Sequence, residues 1–259
     1  MSDEKSLKYN EPWILQRADP YVYRHTDGSY YFTASVPAYD GIVLRRAGTL
    51  AELSGAEEVM VWKKHESGPM SYHIWAPEIH YLFGKWYIYF AGGEAEDIWK
   101  IRPYVLECSG DDPLTDEWVE LGKMKRAAED EFSFEAFSLD ATVFENKGEY
   151  YYVWAEKVGV GKMISNLYIA KMESGNQLKT VQVLLTTPDY DWERHGFWVN
   201  EGPAVIQKDG KVFMTYSASD TGVHYCMGMM TADADADLLD PLSWKKERYP
   251  VLTSSEKAG

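Results

Sequence analysis

DPYVYRHTDGSYYFTAS, residues 19–35, decides the fold, because the same phrase recurs three times: APEIHYLFGKWYIYFAG at 76–92, DATVFENKGEYYYVWAE at 140–156 and EGPAVIQKDGKVFMTYS at 201–217. Each copy reads as a strand, a turn ending in Gly, and a second strand rich in aromatic or β-branched residues. Asp27-Gly28 and Asp209-Gly210 are strong hairpin turns, since Gly accepts the positive φ that a tight turn needs. Phe83-Gly84 and Lys147-Gly148 occupy the same place. The four turn glycines lie 56, 64 and 62 residues apart, a period that suits a four-stranded unit with generous loops.

A third strand follows each copy, at GIVLRRA, YVLECS, NLYIAKM and VHYCMGMM, and a Trp-bearing or apolar segment often comes next, as in EVMVWKK, EWVELGK and SWKKERYP. A meander repeated at a fixed period predicts radially arranged sheets, a β-propeller. A β-sandwich also contains many short strands, but it gives no reason for the repeat. The expectation is therefore one all-β domain over residues 1–259, with blade repeats starting near residues 19, 76, 140 and 201. A fifth copy would begin one period further on, at about residue 260, and the chain stops at Gly259.

Three of the four copies begin with an acid: Asp19, Asp140 and Glu201, eight or nine residues before the turn Gly, with Trp75-Ala76 in that place in the second copy. Inner strands of a propeller run alike around the axis, so these positions should meet at one mouth of the channel. The neighbours are small or apolar (Ala18-Asp19-Pro20, Leu139-Asp140-Ala141, Asn200-Glu201-Gly202), which predicts partial burial. Burial and like charge both raise a carboxyl pKa, so one acid can keep its proton while another stays ionised. Glycoside hydrolysis needs that division between a carboxylic acid at the leaving oxygen and a carboxylate on water. Acids at strand starts also cap turns, and clustered carboxylates also suit calcium. No compact D-x-D-x-D loop is present, and His73, His80, His195 and His224 have no regular ligand spacing, so no metal site is read from the residues.

The net charge of −15 argues against a nucleic-acid partner, whose phosphates draw affinity from clustered Lys and Arg. No segment approaches the roughly 20 apolar residues of a membrane span. The first ten residues, MSDEKSLKYN, carry no apolar run, and Cys108 and Cys226 are too few for a disulfide framework. On that basis the expected location is cytoplasmic.

The phrases RADPYV, WAPEIH, FSLDATVF and NEGPAV, each at the start of a copy and in order along the chain, resemble glycoside hydrolase family 43, five-bladed propeller enzymes acting on arabinose- and xylose-containing polysaccharides. The resemblance implies Asp19 as general base on water, Glu201 as general acid, and Asp140 as the residue that tunes and orients the acid. It implies a small oligosaccharide as partner, no cofactor for the chemistry, and room for a calcium or other ion in the central channel. Around the acids, Trp75 is expected as an apolar wall, with Tyr39, His73, Asn166 and Trp198 as sugar contacts. Long rim segments at 93–104 and 189–199 suggest a closed pocket and so an exo-acting, inverting α-L-arabinofuranosidase. A β-xylosidase or endo-arabinanase would use the same acids, and a propeller that binds sugar without cleaving it is the non-enzymatic alternative. The family's fifth blade is the departure, being missing or incomplete in this reading.

Overall fold

The structure, a computed structural model, describes residues 12–160 and 162–254, without the side chains of 160 and 162; MSDEKSLKYN lies outside them. The chain is all-β, its only helical pieces among the described residues being three short 3₁₀ segments. The first sheet is a meander of β1 (Ala18–Arg24), β2 (Tyr30–Ser35), β3 (Gly41–Ala47) and β4 (Val59–Lys63). The second repeats it with β5 (Tyr72–Leu82), β6 (Lys85–Glu94), β7 (Asp97–Cys108) and β8 (Val119–Lys123).

In the third unit β9 (Ser138–Asn146), β10 (Glu149–Val160) and β11 (Lys162–Ser174) are completed by β12 (Gln177–Leu178) and β13 (Val183–Thr186), both paired to β11. The fourth contains β14 (Trp198–Lys208), β15 (Lys211–Ala218) and β16 (Cys226–Asp233), with β17 (Lys245–Lys246) and β18 (Leu252–Thr253) on β16. A short parallel pairing, Ile164 with Trp198 and Ser165 with Val199, joins the third and fourth units into one continuous sheet.

The sheets pack face to face around an axis. Ile42, Leu44 and Trp62 of the first meet Ile79, Trp86 and Ile88 of the second. Tyr89 and Val105 of the second meet Tyr152 and Trp154 of the third. Val153 and Ile169 of the third meet Met214 and Tyr216 of the fourth. A strand in a sheet covered on both faces reads as an uninterrupted apolar run, and Trp86–Gly93 of β6 is buried at every position. By contrast β15 alternates between buried and half-buried residues, the mark of a strand with one packed face.

Candidate active site

Every inner strand breaks its ladder at the same point. Against two residues on its partner, β1 spends three between Ala18 and Tyr21, β5 three between Trp75 and Glu78, β9 three between Leu139 and Thr142, and β14 three between Glu201 and Ala204. This is a β-bulge, a device that re-aims side chains beside functional sites. Its first inserted residue has φ of 49° at Asp19, 45° at Ala76, 52° at Asp140 and 56° at Gly202. Gly meets that requirement freely, and Asp tolerates it better than most side chains.

The register corrects the repeat alignment. Asp19 and Asp140 share one position with Ala76 and Gly202, while Glu201 stands one step earlier, in the place of Ala18, Trp75 and Leu139. The three acids nevertheless line a single cavity of about 700 Å³. Tyr39, Trp75 and Trp99 line it from the first and second sheets, and Phe197, Trp198 and Tyr225 from the fourth.

Each acid is tied to its neighbours. Ser35 Oγ donates to Asp19 Oδ2 at 2.9 Å and accepts from the Ala76 N–H at 2.8 Å, so the bulge of the second sheet holds the acid of the first. One blade pair further on, the Gly202 N–H donates to Asp140 Oδ2 at 3.1 Å. Tyr225 Oη donates to Glu201 Oε1 at 2.9 Å.

Burial pushes the Asp140 carboxyl well above the ordinary range, the charges of Glu201 and Asp19 push it further, and the Gly202 N–H opposes them. Burial also raises Glu201, against the Tyr225 hydrogen bond and the Lys157 ammonium, which pull it back. Asp19 is exposed, where partial burial was expected of all three.

Of the other expected sugar contacts, Tyr39, Trp75 and Trp198 line the cavity, whereas His73 and Asn166 do not. His73 stands behind Trp75, stacked on it with ring centroids 4.2 Å apart, its Nδ1 3.0 Å from Ile98 O. Asn166 is buried on the other face of β11, 3.3 Å from the Tyr168 hydroxyl, and its neighbour Ser165 faces the cavity instead. Sequence reasoning missed Lys157, Ser35, Tyr225 and Glu78. Only Glu78 carried a visible signal, an acid in WAPEIH two residues inward of the bulge.

Glu78 lies under Asp140 in a second, smaller cavity on the axis. Burial raises its pKa against hydrogen bonds from His80 and Thr142, and His80 Nε2 is 2.9 Å from Glu78 Oε2. Among the described residues no three His, Cys, Asp or Glu side chains are grouped as metal ligands. No helix among the described residues is long and apolar enough to cross a membrane.

The sequence matches the profile described as glycosyl hydrolases family 43 over residues 9–259. It is 48% identical over 248 residues to an extracellular exo-α-(1→5)-L-arabinofuranosidase of Streptomyces chartreusis, covering 96% of this chain and 74% of that protein. It is likewise 48% identical over 254 residues to a protein of the same name from Streptomyces avermitilis, covering 98% of this chain and 52% of the relative. This chain therefore spans about three quarters of the first relative and about half of the second. The crystal structure of an α-L-arabinofuranosidase from Lactobacillus brevis superposes with a TM-score of 0.86 at 51% identity, covering 95% of this chain and 76% of that one. Both Streptomyces relatives are named extracellular, which overturns the cytoplasmic expectation: a low cysteine count and an unremarkable N-terminal stretch are weak guides to compartment. Fold, bulged acids and these relatives agree, and the chain belongs to glycosyl hydrolases family 43.

Proposed function

We propose that the chain is an exo-acting α-L-arabinofuranosidase that inverts the anomeric carbon of arabinan or arabinoxylan oligosaccharides. The observation that carries this reading is the unequal environment of three carboxylates around one cavity: Asp140 and Glu201 are half-buried, which raises the pKa of each, and Asp19 is open to water. Glu201 is the general acid, Asp19 the general base, and Asp140 the neighbour whose charge would be costly beside an ionised Glu201 and so keeps a proton in the pair.

In a single displacement, the oxygen of a water bound by Asp19 forms a bond to C1 while the bond from C1 to the leaving sugar oxygen breaks. The water proton passes to Asp19, the Glu201 proton passes to the leaving oxygen, and an α-arabinofuranoside yields β-arabinose. Trp75 and Tyr39, whose rings meet edge to face at 6.0 Å, offer flat apolar surface to the bound ring. The names of the relatives support arabinofuranose as the sugar. Attack at a chain end is supported by the exo-acting names of the Streptomyces relatives, and Trp99 and Phe197, 61% and 65% exposed, add apolar surface to the cavity from the second and fourth sheets.

The test is arabinose release from (1→5)-linked arabinobiose. Asp19→Asn and Glu201→Gln should each lower it by about 10²- to 10⁴-fold. An aryl arabinofuranoside with an activated leaving group should recover turnover in Glu201→Gln alone, because such a group departs without a proton. Undiminished release from arabinobiose in either variant would refute the assignment.

A further inference from the structure

Lys157 is a charge in the cavity wall that the displacement above leaves unused. On β10 it follows Glu156, whose carboxylate turns into the protein to accept from the Phe134 N–H, the Ala136 N–H and Trp154 Nε1 at 3.0, 3.0 and 2.9 Å. Strand alternation then sends Lys157 to the opposite face, into the cavity. Its backbone N–H is bound to Phe137 O at 2.9 Å, and its Nζ rides 3.7 Å from the centroid of the Phe137 ring. The ring face is the negative end of an aromatic quadrupole, so it holds the ammonium in one place.

Among the described residues that line the cavity, Lys157 is the only Lys or Arg, against Asp19, Asp140 and Glu201. Nearby guanidinium groups are committed elsewhere. Arg194 lies 4.5 Å from the Trp198 ring centroid and donates Nε to Pro188 O at 2.7 Å, and Arg102 donates to Ile101 O and Glu135 O.

We propose that Lys157 is a positioning residue for the reaction: its ammonium, seated on the Phe137 face, is the counter-charge of the three-carboxylate cavity and sets the pH at which Glu201 gives up its proton. The inference rests on Glu201 being the general acid. The titratable groups that face Glu201 are Lys157 on β10, Asp19 on β1, Asp140 on β9 and Tyr225 before β16. Of these Lys157 alone brings a positive charge. Half-burial pulls the Lys157 ammonium's own pKa down, and the Glu201 carboxylate opposes that pull. The carboxylate left when Glu201 protonates the leaving oxygen is the species the ammonium favours, so Lys157 strengthens the acid in the direction of the reaction.

The experiment is the pH profile of kcat/KM for arabinobiose in wild type, Lys157→Met and Lys157→Arg. Loss of the charge should move the basic limb up by about 0.5 to 1 pH unit, and Lys157→Arg should return it. In Lys157→Met the rate on arabinobiose should also fall about three- to tenfold more than on 2,4-dinitrophenyl α-L-arabinofuranoside, which needs no acid. An unmoved basic limb, or equal losses on the two substrates, would overturn the proposal, since a packing role alone shifts neither. Full arabinobiose turnover in Glu201→Gln would overturn the acid assignment itself, and that result is separable from the Lys157 arms.

Discussion

Replacing Lys246 with Met should loosen the cavity wall from outside it. Glu193, in the turn that precedes β14, is 0% exposed at its side chain. Its Oε2 accepts from the Asp189 and Tyr190 N–H groups, both at 2.9 Å, and its Oε1 from Asn200 Nδ2 at 3.0 Å and Tyr216 Oη at 2.9 Å. The cation in this network is Lys246 of β17, with its Nζ 2.8 Å from Oε1 and 2.9 Å from Oε2 and its side chain only 13% exposed.

Removing one partner of a buried pair costs about 3–5 kcal/mol because a charge is left uncompensated. The four remaining donors to Glu193 place Lys246→Met at the low end, about 3 kcal/mol. For a domain of this size that is a fall in Tm of about 6–12 °C. The consequence should reach the site, because Asn200 precedes Glu201 and residues 187–197 carry Phe197 to the rim, so KM should rise more than kcat falls. Calorimetric melting of Lys246→Met, Glu193→Gln and the double variant measures this as a cycle. The double variant should lie above Lys246→Met, since an amide needs no counter-charge. A loss under about 1 kcal/mol in Lys246→Met, or additive losses across the cycle, would refute the reasoning.

Other outcomes follow from the same contacts. Ser35→Ala leaves the Ala76 N–H without its partner and frees Asp19, and should cost about 1–3 kcal/mol in denaturant unfolding together with a loss in kcat. Tyr225→Phe removes a hydrogen bond that lowers the Glu201 pKa, so the basic limb of kcat/KM should move up, additively with Lys157→Met if the two act separately. Asp140 gains proton affinity on folding, so its contribution to stability is present at low pH and is lost as pH rises from about 4 through its raised folded pKa. Asp140→Asn should therefore melt above wild type at pH 7, with the difference closing towards pH 4, while turnover falls.

Much of the architecture was legible because a hairpin signal repeats at a nearly fixed period: Gly28, Gly84, Gly148 and Gly210 all lie in the turn that joins an inner strand to the next strand of its sheet. The side-chain addresses were harder to read. A bulge adds one residue to a strand of period two, and no composition signal marks it when the left-handed position is held by Ala76 in one sheet and by Gly202 in another. Glu201 accordingly reads as equivalent to Asp19 when it sits one step away. The same parity separates Asn166, expected in the site, from Ser165, which is in it. Lys157 and Tyr225 meet the acids through tertiary packing alone, and no motif spacing announces them.

The central claim is that Asp19 and Glu201 act from opposite sides of the scissile bond in one displacement. Proton NMR of the first minutes of arabinobiose hydrolysis, before mutarotation, tests it most directly. The β-anomer of arabinose should appear first and relax towards the equilibrium mixture, and initial release of the α-anomer would contradict the account.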